Sequence, residues 1–397
     1  MKVKQNPADF QVEELTDATT EPRGEFAFYR LHKVGWTTHD ALEIIRQRWQ
    51  IESRRVNYGG LKDRHADTVQ YLTIHNGPKR GFDHQRMTLS YLGQRYDPYS
   101  SRDIRANRFG ITLRALKPRD ELFALNAIQQ IQATGIANYF DDQRFGSVTT
   151  NGPFIAKHMV LGEFEAALKI ALTEYYEFDR AETKHDKQTL REHWGDWPKC
   201  KGLLNKGHAR SLVDYLVHHP TDFKGTCARL RPELGGLYVS AYQSDLWNRL
   251  LAKWLQAHFA LDALGTIALH RGAYPIPLQR PEAMSDNVLS VELPLPTARL
   301  KPDPAAPWFP MLEAVMLEEG ITLKQLKIPG LDRPFFSKGE RTAFIHPQNL
   351  EAIPANDDVN PGQRKLILKF TLPRGCYATM LIKRLTAPGN SPADAAG

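Results

Sequence analysis

Strand-like segments open this chain, give way to a helix-rich middle and return near residue 341. Phe10–Leu15, Glu25–Val34, Val69–Ile74 and Met87–Leu92 read as strands. In Asn107–Leu116, period-two alternation puts Asn107, Phe109, Ile111 and Leu113 on one face. Thr37–Trp49 reads as a helix, with Thr37 or Thr38 as its cap and Leu42, Ile45 and Trp49 at helical spacing. Arg119–Thr134 also looks helical, and Gly135 is placed to close it in the left-handed conformation. From about 149 to 338, helical segments such as Glu163–Leu172 and Ser240–Phe259 alternate with proline-rich links. Strand signals reappear at Arg341–Ile345 and Lys365–Leu372. A chain of 397 residues exceeds one small core. The pattern implies an α+β protein with a discontinuous sheet domain, 1–150 plus 338–397, and a helix-rich insertion at 151–337. The alternative is two sequential domains. The segment 387–397, rich in Ala, Pro and Gly, is expected to be a disordered tail.

The formal net charge of +7 fits either a polyanionic partner or a mildly basic soluble enzyme. Three scattered cysteines, Cys200, Cys227 and Cys376, make neither a disulfide framework nor a zinc site. The N-terminal stretch has no apolar signal region, and no apolar run approaches the ~20 residues that span a bilayer. A cytoplasmic protein without membrane contact is therefore expected. The phosphate-binding G-x-x-x-x-G-K-[ST] loop, the dinucleotide-binding glycine fingerprint and the zinc-binding H-E-x-x-H are all missing. His218-His219 is read as a surface pair, not as metal ligands. A site without metal or cofactor is the expectation.

The most informative stretch runs from Gly60 through Leu61-Lys62-Asp63-Arg64-His65 to Gln70. An acid sits between two bases after a pair of glycines. Lys62 and Arg64 would favour the ionised form of Asp63. In a basic, RNA-facing cleft such a carboxylate can serve as a nucleophile or a base. Without further context the same residues also describe a solvated charged turn.

Gly60-Leu61-Lys62-Asp63-Arg64-His65-Ala66, with Thr68 and Gln70, resembles the signature of the TruD family of tRNA pseudouridine synthases. Five further segments resemble that family in the same order: Lys4–Glu14, Asn107–Ile111, Ala137–Gly146, Ser240–Asn248 and Arg374–Thr379. The six motifs span nearly the whole chain. Ala106, Asp141 and Cys376 depart from residues usual in the family, and the helix-rich middle matches only in patches.

The resemblance implies a catalytic domain on a mixed, mainly antiparallel sheet with flanking helices, plus an inserted helix-rich α/β domain typical of the family. It implies isomerisation of uridine to pseudouridine in tRNA, usually uridine 13 of the D arm. The N1–C1′ glycosidic bond is cut, the base turns, and C5 joins C1′. Asp63 falls on the catalytic aspartate. It could attack C1′, add to uracil C6 or remove a proton from C2′. Lys4 falls on a basic residue that pairs with it; the bland alternative is a solvated N-terminal lysine. Phe109 is matched to a ring that receives the flipped uracil, and Asn107 to a contact with its edge. Phe10 and Tyr377 match pocket-lining positions, with core packing the rival role for Phe10. Lys62 neighbours the aspartate, and either phosphate binding or catalysis suits it. Asn138, Gln143 and Arg144 are read as bracing the domain junction. The expected partner is tRNA, with no metal and no cofactor, and the enzyme is expected to be a monomer. The rival classes are a non-catalytic RNA-binding protein and a metal-dependent nuclease; the latter lacks a carboxylate or histidine cluster.

Overall fold

The structure is a computed structural model, and it describes residues 1–149, 152–176 and 179–387. The expected tail lies outside the described residues from 388 onward. In chain order, the first strands are β1 (Lys2–Val3), β2 (Phe10–Thr16), β3 (Phe26–Val34), β4 (Val56–Tyr58), β5 (Asp67–His75), β6 (Phe82–His84), β7 (Met87–Arg95) and β8 (Ile104–Leu116). Helices α1 (Thr38–Trp49) and α2 (Pro118–Thr134) belong to the same stretch. The middle holds β9 (Ile136–Ala137), α3 (Ile155–Leu161), α4 (Phe164–Thr173), α5 (Ala181–Glu192), α6 (Trp197–Leu203), α7 (His208–His218), α8 (Phe223–Cys227) and α9 (Pro232–His258). It continues through β10 (Leu264–Leu269), β11 (Gly272–Pro277), α10 (Asp286–Leu289), β12 (Glu292–Pro294), α11 (Phe309–Glu319), β13 (Glu340–Thr342) and β14 (Phe344–Ile345). The chain then forms β15 (Gln348–Asn356), β16 (Arg364–Pro373) and α12 (Ala378–Leu385).

The chain divides into two compact units. The first comprises Met1–Ile136, Leu278–Arg280 and the chain from Ile345 on; the second comprises Ala137–Pro277 and Pro281–Phe344. An α+β fold with a mixed sheet results. In the first unit the strand order is β15-β16-β8-β2-β5-β3-β7-β6, with β1 also on β8 and β4 also on β5. Only β2 and β5 run parallel among these pairs. The late strand Lys365–Leu372 lies within β16, where Phe370 faces Phe109 and Leu372 faces Asn107. The strand signal at Arg341–Ile345 behaves differently. Its first part is β13, which pairs with β12 inside the second unit, not with the large sheet.

Register places a long row of residues on one face of the large sheet. Leu31 faces Gln70 and Lys33 faces Thr68. Val12 faces both Thr68 and Phe109, and Glu14 faces Asn107. Since side chains alternate along each strand, these residues share a face. At one end of it, Ala27, Tyr29, Leu31, Leu72 and Ile74 pack under Ala41, Leu42 and Ile45 of α1. Thr37 caps α1 by accepting from the Asp40 N–H at 3.0 Å, and Gln50 closes it in the left-handed conformation. At the other end, Ile111, Leu113, Leu366 and Leu368 are fully buried, where α2 packs on β8 and β16. Between the two apolar cores the same face carries the polar residues Lys33, Thr68, Gln70, Glu14 and Asn107 beside Val12 and Phe109. Gly135 ends α2 with φ 74 and ψ −166, so its φ is positive but its ψ is extended. That conformation, and not the left-handed helical one, lets the chain leave α2 as a strand.

The second unit is built around the 27-residue helix α9. Two of its motifs meet there: Asn248 Oδ1 accepts from the Phe140 N–H at 2.8 Å, and Asn248 Nδ2 donates to the Phe140 carbonyl at 2.9 Å. Asn138 Nδ2 donates to the Thr342 carbonyl at 2.9 Å within the same unit. Among the described residues no helix is long and apolar enough to cross a membrane.

Candidate active site

The loop between β4 and β5 carries Asp63 over the polar strip of the sheet. Its main chain is held from below at several points. Lys62 N–H donates to Thr38 Oγ1 at 2.9 Å, and Gln70 Nε2 donates to the Gly60 carbonyl at 3.2 Å. Thr38 Oγ1 in turn donates to Gln70 Oε1 at 2.9 Å. Lys33 Nζ donates to the Asp63 carbonyl at 3.0 Å and to the Trp36 carbonyl at 2.7 Å. The backbone is therefore pinned while the Asp63 carboxylate stays open, with 41% of its side chain exposed.

Lys4 Nζ meets Asp63 Oδ2 at 2.5 Å, across 59 residues of sequence. Lys4 follows β1 and has φ 58, a conformation that L side chains seldom adopt. That kink turns Lys4 out of the strand ladder after Val3, which pairs with Leu113. The ammonium also lies 4.0 Å from the centroid of the Phe10 ring. Phe10 meets Phe109 edge-on at 6.5 Å, and Phe109 stacks on Phe370 at 5.2 Å. Phe109 is only 8% exposed, so most of this ring serves the core.

Lys62 points away from Asp63. Its ammonium lies 2.8 Å from Glu14 Oε1, off the hydrogen-bond direction, and donates to Asn107 Oδ1 at 3.1 Å. The Lys62 side chain is 11% exposed and Glu14 is fully buried. Glu14 Oε2 also accepts from the Tyr71 N–H at 3.1 Å. This inward engagement favours a positioning role for Lys62 over a phosphate contact. Arg64, the other base flanking the acid, is exposed. The cation that touches Asp63 is thus Lys4 and not a sequence neighbour.

Six of the seven residues named from sequence are joined in two contact chains on one sheet face: Asp63–Lys4–Phe10–Phe109, and Lys62–Asn107. Tyr377 sits half-buried at the start of α12, five residues beyond the Leu372 that faces Asn107. Three residues given no part in the site from sequence also belong here: Lys33, Glu14 and Thr38, the last read only as a possible helix cap. A signal for Lys33 existed, since alternation puts it on the face of Ala27, Tyr29 and Leu31. No group of three or more His, Cys, Asp or Glu that could hold a metal ion occurs among the described residues.

An open carboxylate paired with a lysine, set on a mixed sheet beside aromatic rings, suits chemistry on a flipped base. The fold resembles that of a Methanosarcina mazei protein assigned as tRNA pseudouridine synthase D, with TM-score 0.71 and 24% identity over 97% of this chain and 93% of that one. The two chains thus share one fold, an α+β arrangement on a mixed sheet.

The family model for tRNA pseudouridine synthase D (TruD) matches residues 1–385, and the chain belongs to the TruD family. It is an enzyme, an isomerase of the tRNA pseudouridine synthase D type. Relatives include the Aquifex aeolicus tRNA pseudouridine synthase D, 29% identical over 97% of this chain and 98% of its own length. A Methanocaldococcus jannaschii protein assigned the same activity is 30% identical over 97% of this chain and 91% of its own. A Methanococcus maripaludis protein, also so assigned, is 29% identical over 97% and 99%.

Proposed function

We propose that the enzyme acts on uridine 13 in the D arm of tRNA and that Asp63 performs the chemistry. Membership of the family supports the choice of uridine 13; the observation that carries the role of Asp63 is its 2.5 Å pair with Lys4, half-exposed on a loop whose backbone is pinned. Lys4 orients the carboxylate. Asp63 then supplies the group needed to break N1–C1′. The freed uracil turns in place, C5 bonds to C1′, and the C5 proton leaves as N1 gains one. Atoms balance without an added reactant.

Phe10 and the exposed edge of Phe109 border the space for the base. An ammonium only donates, so Lys62 orients the oxygen of Asn107 toward itself. The Asn107 amide hydrogens then face the other way, toward a uracil carbonyl. Tyr377 closes the pocket from the α12 end. Catalysis belongs to the sheet unit, and the helical unit is the inserted domain of the family.

Asp63→Asn keeps the shape and removes the charge. Turnover should fall below detection in release of tritium from C5-labelled uridine in tRNA. Binding to tRNA should stay near the parental level, because a negative charge near phosphates has been lost and no cation has. Retention of a tenth of parental turnover would refute the assignment. A parent that binds tRNA and releases no tritium would favour a non-catalytic binder. Mapping pseudouridine in tRNA from cells with and without the gene tests position 13; a mark that vanishes elsewhere and persists there overturns it.

A further inference from the structure

Lys33 is a lysine with 0% exposure. Its ammonium has three hydrogens and meets three main-chain carbonyls: Trp36 at 2.7 Å, Asp63 at 3.0 Å and Lys62 at 3.4 Å. Two of these belong to the Asp63 loop. Burying an ammonium is costly unless it is paired, and carbonyl dipoles recover less than a direct carboxylate contact does. Leu31, two residues earlier on the same strand face, lies fully buried in the α1 core. An apolar residue at 33 would extend that core at lower cost. The lysine is therefore poorly explained by packing, and its donors are aimed at the chain that carries the carboxylate.

We propose that Lys33 is a positioning residue for the reaction: from beneath the loop it grips the main chain at Lys62 and Asp63 and places a second positive charge behind the carboxylate that Lys4 pairs from the other side. This rests on the reading of Asp63 as the reacting group. Thr38 and Gln70 complete the grip, through Lys62 N and the Gly60 carbonyl. The motif's closing Gln70 thereby gains a physical role.

Protonation of Lys33 is what the grip needs, since the neutral amine has two hydrogens for three carbonyls. Burial pushes the Lys33 ammonium down to about 8; the Asp63 charge opposes this and the Lys62 charge adds to it. The charged groups facing it are those two, both on the loop. β5 presents the uncharged Thr68 and Gln70, and α1 presents the uncharged Thr38. The sign is informative. A lysine whose folded value is depressed leaves the folded chain with fewer protons than the unfolded chain between about 8 and its ordinary 10.5, so this group adds stability as pH rises through that window. Turnover should move the other way, falling as the third hydrogen bond is lost. A residue that served only the fold would not separate the two.

The test uses the full chain and a tRNA transcript under single-turnover conditions. Lys33→Met keeps length and removes charge and donors. Its rate at neutral pH should fall at least tenfold, with tRNA Kd within threefold of the parent. Lys33→Gln restores two hydrogens without charge and should lie between. The parental rate should decline as pH passes 8, and the Met variant should be flat over that range. A Met variant within twofold of the parent overturns the proposal, as does one that keeps the alkaline decline or loses mainly affinity. If neither variant folds, the parent labelled with 13C at lysine Cε decides. One buried lysine should titrate near 8, and Asp63→Asn should shift that midpoint lower. Titration of every lysine near 10, or indifference to Asp63→Asn, overturns it. An active Asp63→Asn would instead sink the catalytic reading while leaving this titration result standing.

Discussion

Both units bury charge, and they do so in opposite styles. In the second unit, Glu319 takes Lys157 Nζ at 2.7 Å, Arg249 Nη1 at 2.5 Å and the Tyr242 hydroxyl at 2.9 Å. Asp245 on α9 lies beside the same Arg249 and beside Arg271, both at about 4 Å. Cations and anions there close on one another, joining α3, α9 and α11. In the first unit, Lys33 and Glu14 are fully buried and Lys62 nearly so, yet their contacts lead outward to Asn107 and to the main chain of the loop that carries the Asp63 carboxylate. The ion pair that ends this series, Lys4–Asp63, is half-exposed. A closed network ties helices together; an open one holds a half-exposed carboxylate at a surface. Buried charge alone does not mark a site. Where its contacts end does.

Removing one carboxylate from each network sharpens this contrast most. Glu14→Ala leaves the Lys62 ammonium buried without its counter-ion; Glu319→Ala takes the carboxylate from Lys157, which is a third exposed, and from Arg249, which keeps Glu318 at 3.1 Å. Glu14→Ala should cost about 3–5 kcal/mol in denaturant unfolding, and Glu319→Ala should cost less because solvent and Glu318 compensate its cations. Per folded molecule, Glu14→Ala should also lose turnover because Asn107 and Lys62 shift, and Glu319→Ala should turn over normally. Equal losses in the two variants would break the comparison.

Lys4→Gly removes the partner of Asp63 and relaxes the backbone at φ 58. Turnover should drop about 100-fold, similar to loss of a preorganised charged contact. Stability should stay within about 1 kcal/mol, since a half-exposed pair contributes little. A variant that unfolds readily and is otherwise active would make Lys4 structural.

Phe109→Leu keeps apolar volume and discards the flat ring. Stability should fall by less than about 1.5 kcal/mol, and the rate should fall by the loss of a stacking contact of about 1–3 kcal/mol. Phe109→Ala is the poorer test, because a ring packed on Phe370 would leave a cavity and cost about 3–5 kcal/mol.

The smallest effect is a pH dependence confined to the closed network. Burial raises Asp245 from 3.8 to about 6, with Arg249 and Arg271 opposing. Its protonated form favours the folded chain, so this contribution is whole below its ordinary value and lost as pH climbs through 6. Thermal melts of the parent and Asp245→Asn should diverge by a few degrees across that window. Turnover per folded molecule should show no matching step.

Several parts of this molecule were legible in the order of residues, because the physics involved is local. Strand alternation in 10–15, 25–34 and 107–116 and the capped helix after Thr37 depend on near neighbours. The strand signal at 341–345 was real, but its pairing partner was not written in it. β13 joins β12 at Glu292–Pro294, a choice made by which edge lies near. Gly135 was legible as a positive-φ position, and its ψ was set by where the chain had to go next. Phe109 was matched to a ring that receives a flipped base, with a core role as the rival; how much of the ring is covered was decided by Phe10 and Phe370, which pack on it.

By itself the sequence determined the family and the α+β class, through motifs and periodicities that need no coordinates, and it singled out Asp63 as the candidate acid. It also placed Lys4, Phe10, Asn107 and Phe109 on the short list. The resemblance named Lys4 as the base that pairs with Asp63; only the tertiary structure decided that the two meet and that Lys62 turns elsewhere. Charge neighbours along the chain suggested Lys62 and Arg64, but in an extended loop adjacent side chains diverge. Lys62 turns to Glu14, 48 positions earlier, and Lys4 arrives from 59 positions away. Coulomb attraction falls with distance in space and takes no account of distance in sequence. The partner of the carboxylate was therefore fixed by the sheet register that brings β1, β2, β5 and β8 side by side.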